Sequence, residues 1–227
     1  MNLFVNDMPI RILKPGKQPH PGNFNHIIDA RREAITKAKL VHHTWIDKCS
    51  MQHLDSILDL VGSHVPTDLL SLYLTVNDYE AVKSYLKNKF SIVKAAGGLI
   101  TKKEKFLMIH RLDKWDLPKG KKESGEDYPK TAQREIKEEC NITVKAGKKI
   151  CTTWHTYTMN KKSMLKKTRW FLMEVVDDAK MRPELKEDID DIRWMNRKEV
   201  YHALENSYKS IRFVFEEYYR KKETVRE

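Results

Sequence analysis

Residues 120–142, GKKESGEDYPKTAQREIKEECNI, decide how the chain is read. Asp127 is a helix cap, and Pro129 lies in a first turn, where a missing N–H leaves no intrahelical bond unmade. The spacing predicts a helix running to about Cys140, preceded by a loop from Gly120. At about 100° per residue, Glu135, Glu138 and Glu139 share one sector of that helix. Like charges three and four residues apart destabilise a helix, and Arg134 at the i, i+4 spacing offsets only Glu138. A cation belongs there, and an all-oxygen donor set selects a hard one: Mg²⁺, with Mn²⁺ as an alternative. A solvated acidic face is the bland alternative for an isolated EIKEE string.

The further fixed points decide between them. The spacing Gly120, Glu126, Arg134-Glu135, Ile136, Glu138-Glu139 and Ile142 resembles the Nudix box, with Asn141 where that family has glycine. Asn is the usual substitute for glycine in the left-handed conformation that follows a helix end. The resemblance implies a mixed β-sheet sandwiched between helices, and hydrolysis of a nucleoside diphosphate linked to another group. It also implies that Glu135, Glu138 and Glu139 ligate metal and supply the general base, which of them being left open. Glu126 and Arg134 would orient them. Gly120, through its own carbonyl or that of Lys119, would add a ligand. The family often adds a later acidic residue, for which Glu187 and Asp188 are the candidates. Lys119 is the phosphate-contact candidate, with His155 and Tyr157 as substrate-facing groups or ordinary strand core.

Charge is uneven along the 227 residues. The net charge is +11; residues 1–90 hold 11 Lys+Arg against 9 Asp+Glu, which leaves +9 to residues 91–227. A cation-rich surface beside an acidic site suits a phosphate-rich substrate, and nucleic acid would be attracted equally. The WDLPKGK string (115–121) looks like that of Nudix enzymes acting on dinucleoside polyphosphates, diphosphoinositol polyphosphates or capped RNA. The proline that ADP-ribose-cleaving members carry past the box is absent, Tyr157 standing there. A dinucleoside polyphosphate is therefore favoured. The alternatives are RNA 5′-end pyrophosphohydrolysis and a nucleic-acid-binding regulator built on the same domain.

Three cysteines with no CxxC pair argue against a disulfide framework or structural zinc, and for a reducing cytoplasm. No apolar run reaches the roughly 18 residues needed to cross a bilayer.

The remaining periodicities give an α/β chain of two domains, 1–90 and 91–227. In the first, strands are expected at 3–5, 8–13 and 69–76, and helices from Met51 and from Tyr79 to about Lys89. Residues 27–35 and 40–46 are ambiguous, the latter leaning to strand. No catalytic constellation is found there, since His42 and His43 as strand neighbours point to opposite faces. In the second, strands are expected at 91–100, 106–110, 143–150, 151–159, 168–176 and 192–195, with 115–120 as a loop. Helices follow at 198–206 and 209–222, the last with an apolar stripe of Ile211, Val214, Phe215 and Tyr218 suited to core or to a homodimer contact.

Overall fold

The computed structural model describes residues 1–224. The chain divides into two compact units, one of residues 1–92 with 154–166 and the other of 93–153 with 167–227. Both are α/β.

The first unit opens with a hairpin, β1 (Asn2–Val5) and β2 (Met8–Leu13), whose turn residues Asn6 and Asp7 both have positive φ. After a Pro- and Gly-rich loop come β3 (His26–Asp29) and β4 (His42–Cys49), which resolve the two ambiguous segments. Helix α1 (Met51–Ser63) starts at a capping box made by Ser50 and His53, and β5 (Leu69–Val76) follows. Helix α2 (Tyr79–Lys89) is capped by Asp78, which accepts from the N–H groups of Glu80 and Ala81. The strand order is β1-β2-β5-β4-β3, parallel from β2 onward. Parallel neighbours need a crossover, and α1 supplies the one from β4 to β5. Leu54, Ile57, Leu58 and Val61 of α1 close on Ile10, Ile46, Leu72 and Leu74 of the sheet. Leu165 joins this core from far along the chain.

The second unit begins with β6 (Ser91–Lys102) and β7 (Lys105–Arg111). The segment expected to be a loop instead holds two short strands, β8 (Lys114–Asp116) and β9 (Lys119–Lys121). Helix α3 (Tyr128–Cys140) leads to two long strands, β10 (Thr143–Met159) and β11 (Lys162–Asp177). β10 is one strand where two were expected, running through Ile150 and Cys151. The chain ends with β12 (Ile189–Met195), α4 (Arg197–Ala203), a 3₁₀ turn over Leu204–Asn206, and α5 (Lys209–Thr224). The order is β12-β7-β6-β11-β10, with β8 on β7 and β9 on β6. The stripe of α5 is core: Ile211, Val214 and Phe215 are buried. Among the described residues no helix is long and apolar enough to cross a membrane.

Two contacts place α3. Ala132, Ile136 and Cys140, four residues apart, lie buried in the core with Ala96, Ile100, Leu107 and Met173. A Cβ on Gly98 would come within 2.6 Å of Ile136 Cδ1 and 2.7 Å of Met173 Cγ. Glycine there lets the helix sit directly on β6.

Candidate active site

The site is assembled from α3 and the strand pair β6–β9. Asp127 caps α3 by accepting from Lys130 N–H, and Asn141 ends it at φ 54°, the left-handed conformation expected of it. The Asn141 amide also donates to Lys180 O at 2.7 Å, fastening the helix end to the segment that leads to β12. Ala96 of β6 faces Gly120 and Gly97 faces Lys119, which fixes the height of the loop beside the helix.

Glu139 is the most enclosed of the three helix carboxylates, 2 % exposed. One oxygen accepts the Lys119 backbone N–H at 3.0 Å, and the other lies 3.7 Å from the Arg111 guanidinium. Burial raises its pKa to about 7, against the pull of Lys119 and Arg111. Glu135 rests on the loop: a Cβ on Gly120 would coincide with the Glu135 carboxylate. Burial also moves the Glu135 pKa upward, and the charges of Glu138 and Glu187 add to the effect while Arg134 opposes it. Glu138 differs, being largely exposed and bonded to Arg134 at 2.8 Å.

Arg134 organises more of the site than its spacing alone suggested. Its guanidinium donates to Glu126 at 2.7 and 3.1 Å, to Glu135 at 2.9 Å, to Glu138 at 2.8 Å and to Lys121 O at 3.0 Å. The expectation that it would offset only Glu138 is therefore corrected. A five-donor fork on a long stem reaches its sequence neighbour and the loop together. Glu126 in turn accepts from Thr131 Oγ1 at 2.9 Å and from Glu123 N–H at 3.1 Å, and these contacts with Arg134 hold its pKa down to about 2.

Of the later acidic residues, Glu187 reaches the site. Arg111 spans Glu139 and Glu187, its second nitrogen 3.4 Å from Glu187. Asp188 ends the 3₁₀ turn Leu185–Glu187 at φ 57°. Lys119 is arranged differently from a phosphate-facing lysine: its ammonium is ion-paired with the buried Asp116, and its backbone N–H serves Glu139. His155 and Tyr157 belong to the first unit, with ring centroids 5.9 Å apart and the Lys166 ammonium 5.8 Å from the Tyr157 ring. The sequence reading missed Arg111 and Asp116. A basic residue closing a strand two positions before an Asp-Lys turn was the available signal for the first.

Among the described residues no three His, Cys, Asp or Glu side chains already converge as a metal cage. What the site offers is a donor set. Glu135 and Glu139 present carboxylates whose proton affinity burial has raised, against a glycine that leaves no side chain between carboxylate and loop. Hard oxygen donors in a desolvated setting fit a divalent cation of the Mg²⁺ or Mn²⁺ kind.

Residues 92–215, more than half the chain, match the NUDIX domain. Solved structures similar to the chain include a NUDIX hydrolase from Nitrosomonas europaea, at 19% identity and TM-score 0.48, covering 58% of this chain and 91% of that one. A MutT protein from Methanosarcina mazei Go1 has 21% identity and TM-score 0.47, covering 59% and 97%. An Ap4A hydrolase from C. elegans has 25% identity and TM-score 0.46, covering 58% and 98%. With the domain match spanning β6 to α5, the chain belongs to the Nudix family of hydrolases, which act on phosphoanhydride bonds.

Proposed function

We propose that the chain is a Mg²⁺-dependent pyrophosphohydrolase, with Mn²⁺ as a substitute metal, and that its substrates are nucleoside-diphosphate-linked compounds of the dinucleoside polyphosphate class. The observation that carries this reading is the pair of carboxylates shielded by the loop, the partly buried Glu135 against Gly120 and the buried Glu139 on the Lys119 N–H. Glu135 and Glu139 would hold the ion, with Glu138, the Gly120 carbonyl and Glu187 or Asp188 as further oxygen donors. When bound, a divalent cation lowers the pKa of a coordinated water and offsets charge on phosphate oxygens.

The protein's own residues do the rest. The water oxygen bonds to phosphorus, the bridging P–O bond breaks with its electrons leaving on the departing phosphate, and one of the three helix glutamates takes the water proton. Arg134 holds Glu126, Glu135 and Glu138 in a fixed relation before substrate arrives, which removes reorganisation from the reaction step. The excess positive charge of residues 91–227 supports a polyanionic substrate by drawing it in.

The test is a panel of dinucleoside polyphosphates and nucleoside diphosphate conjugates in Mg²⁺, with ¹⁸O-labelled water locating the phosphorus attacked. At least one compound should be cleaved, EDTA should stop the reaction, and Glu139→Gln should lower turnover by about 10²-fold or more. Failure of the whole panel, or wild-type rates in the variant, would refute the assignment.

A further inference from the structure

We propose that a second, basic cleft in the Nudix unit binds a polyphosphate chain. The cleft, about 770 Å³, is bounded by the β6–β7 turn, the start of α4 and the last turns of α5. That is the volume of a small-molecule site. It is separate from the glutamates: β7 meets the cleft at Phe106, whereas its far end, Arg111, touches Glu139 and Glu187. Five steps of a strand at about 3.3 Å each put roughly 17 Å between those points.

The cleft is bordered by Lys103 and Lys105 from the hairpin and by Arg197, Lys198 and Lys222 from the helices, against two carboxylates, Glu104 and Glu223. Among the described residues none of the five cations has an acidic partner, although nearby Lys102 pairs with Asp178 and Arg220 with Glu217. Aromatic faces hold two of them instead. Arg197 lies 4.8 Å from the Tyr219 ring centre and Lys222 lies 5.9 Å from that of Tyr218. Phe106 braces both rings edge-on, at 6.1 and 5.6 Å. A cation positioned over a ring keeps its charge and its N–H donors for a ligand, which a carboxylate partner would consume. The Tyr219 hydroxyl, buried in the same wall, has no hydrogen-bond partner among the described residues. Five cations contributed by a hairpin and two helices suit several linked phosphates better than one. Free polyphosphate and the triphosphate tail of a nucleotide share that chemistry.

The experiment is calorimetric titration of the full chain in EDTA with inorganic tripolyphosphate, ATP and adenosine, so that hydrolysis plays no part. Tripolyphosphate should bind, more weakly as salt rises, and ATP should compete with it while adenosine does not. Arg197→Glu/Lys222→Glu and Lys103→Glu/Lys105→Glu should each weaken binding at least about tenfold. Both should retain wild-type turnover, and Glu139→Gln should bind as wild type does. Two charge-reversal sites on different elements keep the test decisive if one double variant fails to fold. Absence of tripolyphosphate binding, unchanged affinity in a folded double variant, or loss of binding in Glu139→Gln alone would overturn the proposal.

Discussion

Gly120→Ala should separate activity from stability. The backbone at Gly120 is outside the left-handed region, so alanine is accommodated by the main chain. Its Cβ, however, would occupy the position of the Glu135 carboxylate. That carboxylate is the free end of a flexible side chain, so it can rotate away without moving the backbone. The stability cost is then limited to the Glu135–Arg134 hydrogen bond, about 1.5–3 kcal/mol for a charged pair. Arg134 keeps Glu126, Glu138 and Lys121 O, and replacing glycine returns about 0.4–1 kcal/mol through the unfolded chain. The net loss should be at most about 2.6 kcal/mol, lowering the melting temperature by about 10 °C or less. Turnover should fall far more, because displacing a positioned group by about 1 Å costs on the order of 10²-fold. Calorimetry and a Mg²⁺-dependent phosphate-release assay on the same preparation measure both. Wild-type turnover in a folded Gly120→Ala protein would show that the seat of Glu135 on the loop has no part in the reaction.

Gly98→Ala should do the reverse, destabilising by about 1–3 kcal/mol because its Cβ meets Ile136 and Met173 inside the core; a urea midpoint equal to wild type would refute the packing argument. Arg134→Lys keeps the charge but loses the fork that joins Glu126, Glu135 and Glu138, so turnover should drop about tenfold or more with the charge balance intact. Full activity in that variant would mean the carboxylates are placed by other contacts. The Cys49 thiol is buried, and burial raises its pKa from 9.0 to about 12, with Asp47 adding to the shift. The folded state thus favours the protonated thiol: its contribution is complete below the unfolded pKa near 9 and is lost as pH rises towards 12. Urea titrations between pH 8 and 11 should show a shallower decline in Cys49→Ala than in wild type, and parallel curves would contradict the burial argument.

The parts of the site that were legible in the sequence are those fixed within a few residues. Asp127, Pro129 and Asn141 define the ends of α3 by local hydrogen bonds and backbone preference, and all three behave in the structure as that chemistry requires. The spacing of Ala132, Ile136 and Cys140 against Glu135 and Glu139 likewise needs only the helical repeat. The two short strands β8 and β9 escape a sequence reading because three residues are too few to show an alternation. The strands expected at 143–150 and 151–159 are a single strand, because Ile150 and Cys151 carry no glycine or proline between them to turn the chain.

What escaped the sequence has a common physical cause, dependence on register between distant segments. Glu139 owes one oxygen's partner to a backbone N–H twenty residues earlier, and any residue type at position 119 other than proline would have supplied it. No side-chain pattern can announce such a contact. Arg111 illustrates the same limit from the other side, since a charged residue at a strand end is ordinarily solvated. It becomes part of the site only because β12 pairs antiparallel with β7, setting Ile189 opposite Arg111 and bringing Glu187 within its reach. The acidic run before β12 offers two candidates, Glu187 and Asp188, which composition does not separate. Pairing register, rather than residue type, selects Glu187 as the one that shares an arginine with Glu139, while Asp190 bonds His110 and Asp191 pairs with Arg193.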